Sequence, residues 1–201
     1  MTLDEIVSSY IREYRTFARA EMRSFEKEST LRDAIRRAAL CQWPNGKRHE
    51  HQYRIAKPLL EQAEGRLQGI AGKLEQAANF AELHDLLEHE VGPISGIGEL
   101  TVYDIAHRIG AYLRKAPKLV YLHRGTRIGA AMLGLHGQAL EPKQLPKAFS
   151  RLTPAEIEDC LCIYKDDLRA IRTRTMAKSR MGSGFSSCRR RAQTGMYGCR
   201  P

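Results

Sequence analysis

Long apolar runs are missing from this chain of 201 residues. None approaches the ~18 residues that a membrane-crossing helix requires, which argues against a helical span. The first residues become charged and amphipathic at once, unlike a secretory signal, so a cytoplasmic protein is expected. Cysteine is scarce and poorly placed: the five cysteines are an odd number, Cys160 and Cys162 sit two apart in a predicted helix, and Cys188 and Cys199 lie near the C-terminal end. Neither a disulfide framework nor a zinc site has that spacing. The seven histidines do no better, because His49 with His51 and His84 with His89 lack the i, i+4 spacing that puts two imidazoles on one helix face. No metal and no cofactor is therefore expected. Acid is missing twice, from residues 105 to 140 and again after Asp167.

What is present is an ordinary globular composition, 42% hydrophobic and 28% charged, enough for one good-sized core. The net charge of +10 is unevenly spread. Residues 168 to 201 hold nine Lys or Arg and no acid, leaving 33 − 9 = 24 bases against 23 acids in residues 1 to 167. The body is nearly neutral, and the high isoelectric point belongs to the tail. Within the body, Arg108, Arg114, Lys115, Lys118, Arg124 and Arg127 stand in the acid-free stretch, one basic region able to steer association with a polyanion.

Helical signals run along the whole body. Thr2 and Glu5 form a capping box opening a helix with Ile6, Tyr10, Ile11, Tyr14 and Phe17 on its apolar stripe. A second helix is predicted over Leu31 to Leu40, and a long one from Pro58 to about Ala77 after the turn at Trp43-Pro44-Asn45-Gly46. Asn79 and Glu82 cap the next helix. Further helices are predicted over Glu99 to Lys115, Leu119 to Leu133, and from Thr153-Pro154-Ala155-Glu156 to about Arg172. No segment alternates polar and apolar residues between turns, so the expectation is an all-α body over residues 1–173. Residues 174–201, with Met-Gly-Ser-Gly and three consecutive arginines, form a basic tail expected to be disordered.

The segment that most constrains function is Ile94-Ser95-Gly96-Ile97-Gly98-Glu99-Leu100-Thr101, a turn between two helical patterns. Gly96 and Gly98 allow a tight turn with positive φ and close backbone approach. Ile94 and Ile97 would pack inward with Ile105, Ile109 and Leu113. The first amides of the following helix carry the positive end of its dipole, so a phosphate can dock there, with the Thr101 hydroxyl as an added donor. His123, Arg124, Thr126 and Arg127 follow in sequence, and Arg127 can fork to a phosphate or pair with an acid of another helix. Asp104 and Arg108 are spaced for a helix pair. Trp43 and Tyr53 could in principle stack a base, but such residues are more often core.

The turn with its flanking helices, about residues 84–113, resembles a helix-hairpin-helix, the motif by which a large superfamily grips DNA through its backbone. The similarity reaches the DNA glycosylase branch of that superfamily, where the hairpin precedes a segment of pattern Val-Asp-Thr-His-x-x-Arg-x-x-x-Arg-Leu-Gly. Here Val120-Tyr121-Leu122-His123-Arg124-Gly125-Thr126-Arg127, ending Met132-Leu133-Gly134, is similar in shape. The position of that branch's Schiff-base lysine is Leu100, and the position of its catalytic aspartate falls at or near Tyr121. Neither side chain can do that chemistry. Gly-Ile-Gly-Glu-Leu-Thr-Val-Tyr-Asp and Val-Tyr-Leu-His are also similar to a family of uncharacterised bacterial proteins, which implies no activity.

The resemblance implies a non-enzymatic module that binds duplex DNA largely without regard to sequence, since phosphate contacts position a protein without reading bases. The residues expected to make that contact are Gly96, Ile97, Gly98, Leu100, Thr101, Lys118, His123, Arg124 and Arg127. Two other readings stand beside it. One is a glycosylase- or lyase-like repair enzyme with a displaced catalytic group, for which Asp104, Glu99 and Lys118 are nearest. The other is a helical protein-interaction module.

Overall fold

The structure, a computed structural model, describes residues 1–49 and 52–173. The expected tail at 174–201, with Cys188 and Cys199, lies outside the described residues, as do Glu50 and His51. Ten helices and one two-stranded ribbon make up the described chain: α1 (Leu3–Glu13), α2 (Arg15–Glu26), α3 (Leu31–Ala39), α4 (Lys57–Gly69), α5 (Ala71–Gln76), α6 (Phe80–Val91), α7 (Glu99–Tyr112), β1 (Val120–Tyr121), α8 (Arg124–Met132), β2 (Ala139–Leu140), α9 (Pro154–Ile163) and α10 (residues 165–173). The architecture is mostly helical, and no helix among the described residues is long and apolar enough to cross a membrane.

Capping decides where several helices begin. The Glu5 amide donates to Thr2 Oγ1 at 3.2 Å while the Thr2 amide donates to Glu5 Oε2 at 2.8 Å, closing the box at the start of α1. Thr30 caps α3 through the Asp33 amide, Asn79 caps α6 through the Glu82 amide, and Thr153 with Glu156 repeats the box at α9. Each satisfies amides that lack an intrahelical partner.

Four expectations are corrected. The first apolar stripe does not run on to Phe17, because the helix is interrupted at Tyr14; Ile6, Val7 and Tyr10 are buried, whereas Tyr14 and Phe17 are 40% and 62% exposed. The long helix after Pro58 breaks at Ile70 into α4 and α5, where Gly69 and Gly72 lower the helical preference on both sides. The helix expected from Leu119 begins only at Arg124. Val120 and Tyr121, both good strand formers, instead pair antiparallel with Leu140 and Ala139. The last helix is interrupted at Tyr164 and resumes as α10.

Two apolar clusters form the core, and α7 belongs to the first. One gathers Phe25, Ile35, Leu67, Phe80, Leu83, Leu87, Ile105 and Ile109 from α2 to α7, and the other gathers Ile6, Tyr10, Val120, Leu140, Phe149, Ile157 and Leu161 from α1, the ribbon, α9 and the intervening loop. Eight of the fourteen residues of α7 are buried, which makes it the central helix on which α2, α3 and α6 pack. In the second cluster α8 and α9 approach so closely that a Cβ on Gly129 would stand 2.2 Å from the Leu161 carbonyl oxygen. Only glycine permits that crossing.

Candidate nucleic-acid interface and the polar chamber behind it

The turn between α6 and α7 is built much as its glycines imply. Gly96 takes φ +96°, and a side chain there would also meet Leu59, whose Cδ1 lies 2.8 Å from the position of a Cβ. Ile94 and Ile97 are buried against Ile105 and Ile109, so the turn is anchored from below. Gly98 departs from the expected positive φ: it is extended, at φ −101°, and serves as the N-cap of α7 with no side-chain cap. The first intrahelical bonds run from the Thr101 and Val102 amides to the Gly98 carbonyl at 2.9 and 3.1 Å. The amides before Thr101 therefore open the helix at an exposed surface.

The side chains expected around this turn divide into two groups. Gly96, Gly98, Lys118 and Arg124 are exposed. Arg124 is the first residue of α8, whose N-cap, His123, likewise offers no side-chain cap. Ile97 and Thr101 are buried and Leu100 is half-buried, so these three shape the turn from within. His123 is buried at 4% exposure and hydrogen-bonded to Glu158; this corrects its placement on a phosphate-binding surface. Arg127 pairs with Glu99 and donates to the Leu122 carbonyl at 2.6 Å, the internal alternative left open by the sequence. That ion pair brings the start of α8 next to the start of α7 and offsets the one acid in the first turn of α7.

Of the basic stretch, Arg108 and Arg127 are paired with carboxylates, Lys115 is held by backbone carbonyls, and Arg114, Lys118 and Arg124 are exposed. Arg108 is 3% exposed and donates to Glu21 Oε1 at 2.9 Å, and Lys115 donates to the Glu75 carbonyl at 2.7 Å. Arg108 and Asp104 are bridged by Gln52, which accepts from Arg108 Nη1 at 3.2 Å and donates to Asp104 at 2.9 Å. Burial works against the Arg108 charge, but Asp104 and Glu21 outweigh it and hold it on. Trp43 packs edge-on against Phe17 at 5.0 Å and over His49 at 4.2 Å, whereas Tyr53 is exposed beneath the Arg48 guanidinium.

Two hollows lie against α7. A groove of about 560 Å³ runs between α6, the turn and the ribbon, with Asp85, Glu88 and Glu99 on its rim and Tyr121 on its wall. On that rim His84, Asp85 and Glu88 place their ligand atoms within 4.8 Å of one another, with His84 Nδ1 3.9 Å from Glu88. A phosphate inside this groove would meet three carboxylates, so a backbone contact is confined to the exposed end of the turn.

The second hollow, a chamber of about 400 Å³, lies between α2, α7 and α9. Sequence reasoning missed it. Glu21, Asp104, Glu158 and Asp159 supply four carboxylates to its wall, joined by His107, His123 and Tyr103, with Tyr14 and Phe17 at its outer side. Tyr103 and His123 line both hollows and so form the partition between them. Burial, reinforced by Asp104, pushes the Glu158 carboxyl well above the ordinary range, and burial, reinforced by Glu158, does the same to Asp159. Burial also draws His123 down, and His107 down to about 4. The Glu158–His123 pair is thus driven toward its neutral form, with the carboxyl donating to the imidazole. Tyr10 donates to Asp159 at 3.0 Å, while the Tyr103 hydroxyl, fully buried, has no hydrogen-bond partner among the described residues.

The signal for this chamber was present in the sequence. Residues 156 to 164 carry Ile157, Cys160, Leu161, Cys162, Ile163 and Tyr164 around most of the helix, so the acids at 158 and 159 have little solvent face to occupy. Comparison of the chain with protein-family models, with curated proteins and with solved structures gave no match.

Proposed function

We propose that the protein binds duplex DNA through its phosphate backbone, without catalysis and largely without sequence preference, with α6, the turn and α7 acting as a helix-hairpin-helix. The observation that carries this reading is the exposed start of α7, where Gly98 is the N-cap and no side chain occupies the helix-opening amides. Such an end takes a phosphate oxygen without needing a cationic side chain. The start of α8 stands beside it through the Arg127–Glu99 pair, and Arg124 and Lys118 add exposed positive charge. Few charged contacts imply a shallow salt dependence from the body, with the basic tail adding a steeper one.

The test uses one substitution that separates binding from folding. A Cβ at Gly98 meets nothing within 4 Å and the backbone there is extended, so Gly98→Asp fits as a good N-cap. Its carboxylate takes the amides for itself and repels phosphate. Helix stability then rises by about 0.3 kcal/mol while duplex binding by a chain ending at Arg172 is lost at low salt. Wild-type affinity in the folded Gly98→Asp protein would sink the proposal.

A further inference from the structure

The proposed DNA contact leaves the chamber between α2, α7 and α9 without a role, and its polar groups are costly to bury unless something completes them. A cluster of carboxylates alone would not name a ligand. Tyr103 adds an independent sign: the residue lines the chamber at 3% exposure, and its buried hydroxyl has no hydrogen-bond partner among the described residues. Native structures rarely leave such a group unbonded, and a bound ligand is one of the few things that answers it.

The chemistry of the wall selects that ligand. Among the described residues Arg108 is the one Lys or Arg on the wall, and it is turned toward Glu21 and Gln52, so an anion would find no counter-charge there. The bonds to His123 and Tyr10 use Oε1 of Glu158 and Oδ2 of Asp159, leaving one oxygen of each carboxyl to accept from an incoming N–H. Tyr14 and Phe17 present rings at the outer side, 40% and 62% exposed, suited to the flat apolar end of a ligand or to the face of a cation. The volume of about 400 Å³ falls in the range of small-molecule sites. We propose that this chamber binds a small organic cation of the amidine or guanidine class, its paired N–H groups held by Glu158 and Asp159 and the Tyr103 hydroxyl, its apolar end against Tyr14 and Phe17.

Planar paired donors match carboxylate geometry better than a point charge does. The positive charge would also supply what the walls lack, since both carboxyls are held toward neutrality in its absence. No bond is made or broken in this proposal; it concerns recognition alone and does not depend on what the hairpin binds.

Benzamidine, benzamide and benzoate are nearly isosteric and differ in charge, so they test the assignment directly in the full-length protein by calorimetry and thermal shift. Benzamidine at millimolar concentration is expected to bind and raise the melting temperature, and the neutral and anionic analogues are not. Tyr103→Phe removes a hydroxyl that makes no bond among the described residues, so the fold is kept while benzamidine affinity falls about tenfold. Asp159→Asn lowers it further. Equal binding of benzamide or benzoate overturns the proposal, as does an absence of benzamidine binding, or unchanged affinity in a folded Tyr103→Phe protein.

Discussion

Replacing Tyr103 by phenylalanine should stabilise the protein, the reverse of what truncating a buried tyrosine ordinarily does. The ring stays where it is, with Phe80 at 6.0 Å, Tyr121 at 5.7 Å and His107 at 5.7 Å between ring centroids, so its dispersion contacts survive. What disappears is one hydroxyl oxygen, buried and without a hydrogen-bond partner among the described residues. Leaving such a group unbonded costs about 1–3 kcal/mol, and part of that is recovered when it is removed. With a small allowance for the void left by the oxygen, the expected gain is about 1 kcal/mol, or roughly 2–4 °C in melting temperature for a chain of this size. Urea unfolding read by circular dichroism measures it as a higher midpoint at unchanged slope. A loss of ~1 kcal/mol at unchanged slope would show that the hydroxyl is bonded in solution, and the accounting of the chamber would be wrong. The same substitution weakens benzamidine, so stability and affinity move in opposite directions, which nonspecific damage cannot produce.

The remaining predictions test packing and ionisation. Gly129→Ala puts a methyl 2.2 Å from the Leu161 carbonyl oxygen, forcing α8 and α9 apart; a destabilisation of about 2 kcal/mol or more is expected in thermal melts, and a neutral result would refute the close crossing. At Glu156 burial opposes ionisation, but the bonds from the Thr153 amide, Arg19 and Arg15 outweigh it and hold the carboxyl below its ordinary value of 4.5. A depressed carboxyl contributes stability that is present above the ordinary value and lost as pH falls through the depressed one. Glu156→Gln should therefore cost about 1 kcal/mol at neutral pH, at the low end because water screens the half-exposed Arg19, and this difference should shrink toward zero in acid. An unchanged difference at low pH would show that the contribution is not ionic.

The elements legible in the sequence were those set by local chemistry. Thr2, Asn79 and Thr153 each announced a helix start because a capping side chain acts within its own first turn. Gly96 announced the turn because its conformation is barred to other residues. The candidate site was legible only where it is backbone: the glycines and the opening of α7 could be read, but the fate of the side chains around it could not. His123 was read as a surface donor and Arg127 as either a phosphate fork or an internal pair, and they found Glu158 and Glu99, respectively 35 and 28 residues away. Nothing local specifies such partners.

The sequence alone thus determined a mostly helical chain without a span-length apolar helix, the positions of its caps, the turn at Gly96 and the lopsided charge. Each follows from periodicity, conformational restriction or counting, which involve neighbours in the chain. Tertiary structure decided the rest. Val120 and Tyr121, strand formers at the edge of a helical window, became a strand because Leu140 and Ala139 were there to pair with them. Within the basic stretch Arg108 and Arg127 were neutralised because folding brought Glu21 and Glu99 to them, while Arg114, Lys118 and Arg124 stayed exposed. The chamber exists because α2, α7 and α9 meet, bringing residues 21, 104, 158 and 159 together across more than a hundred positions. Long-range contacts of that kind are chosen by the packing of whole elements.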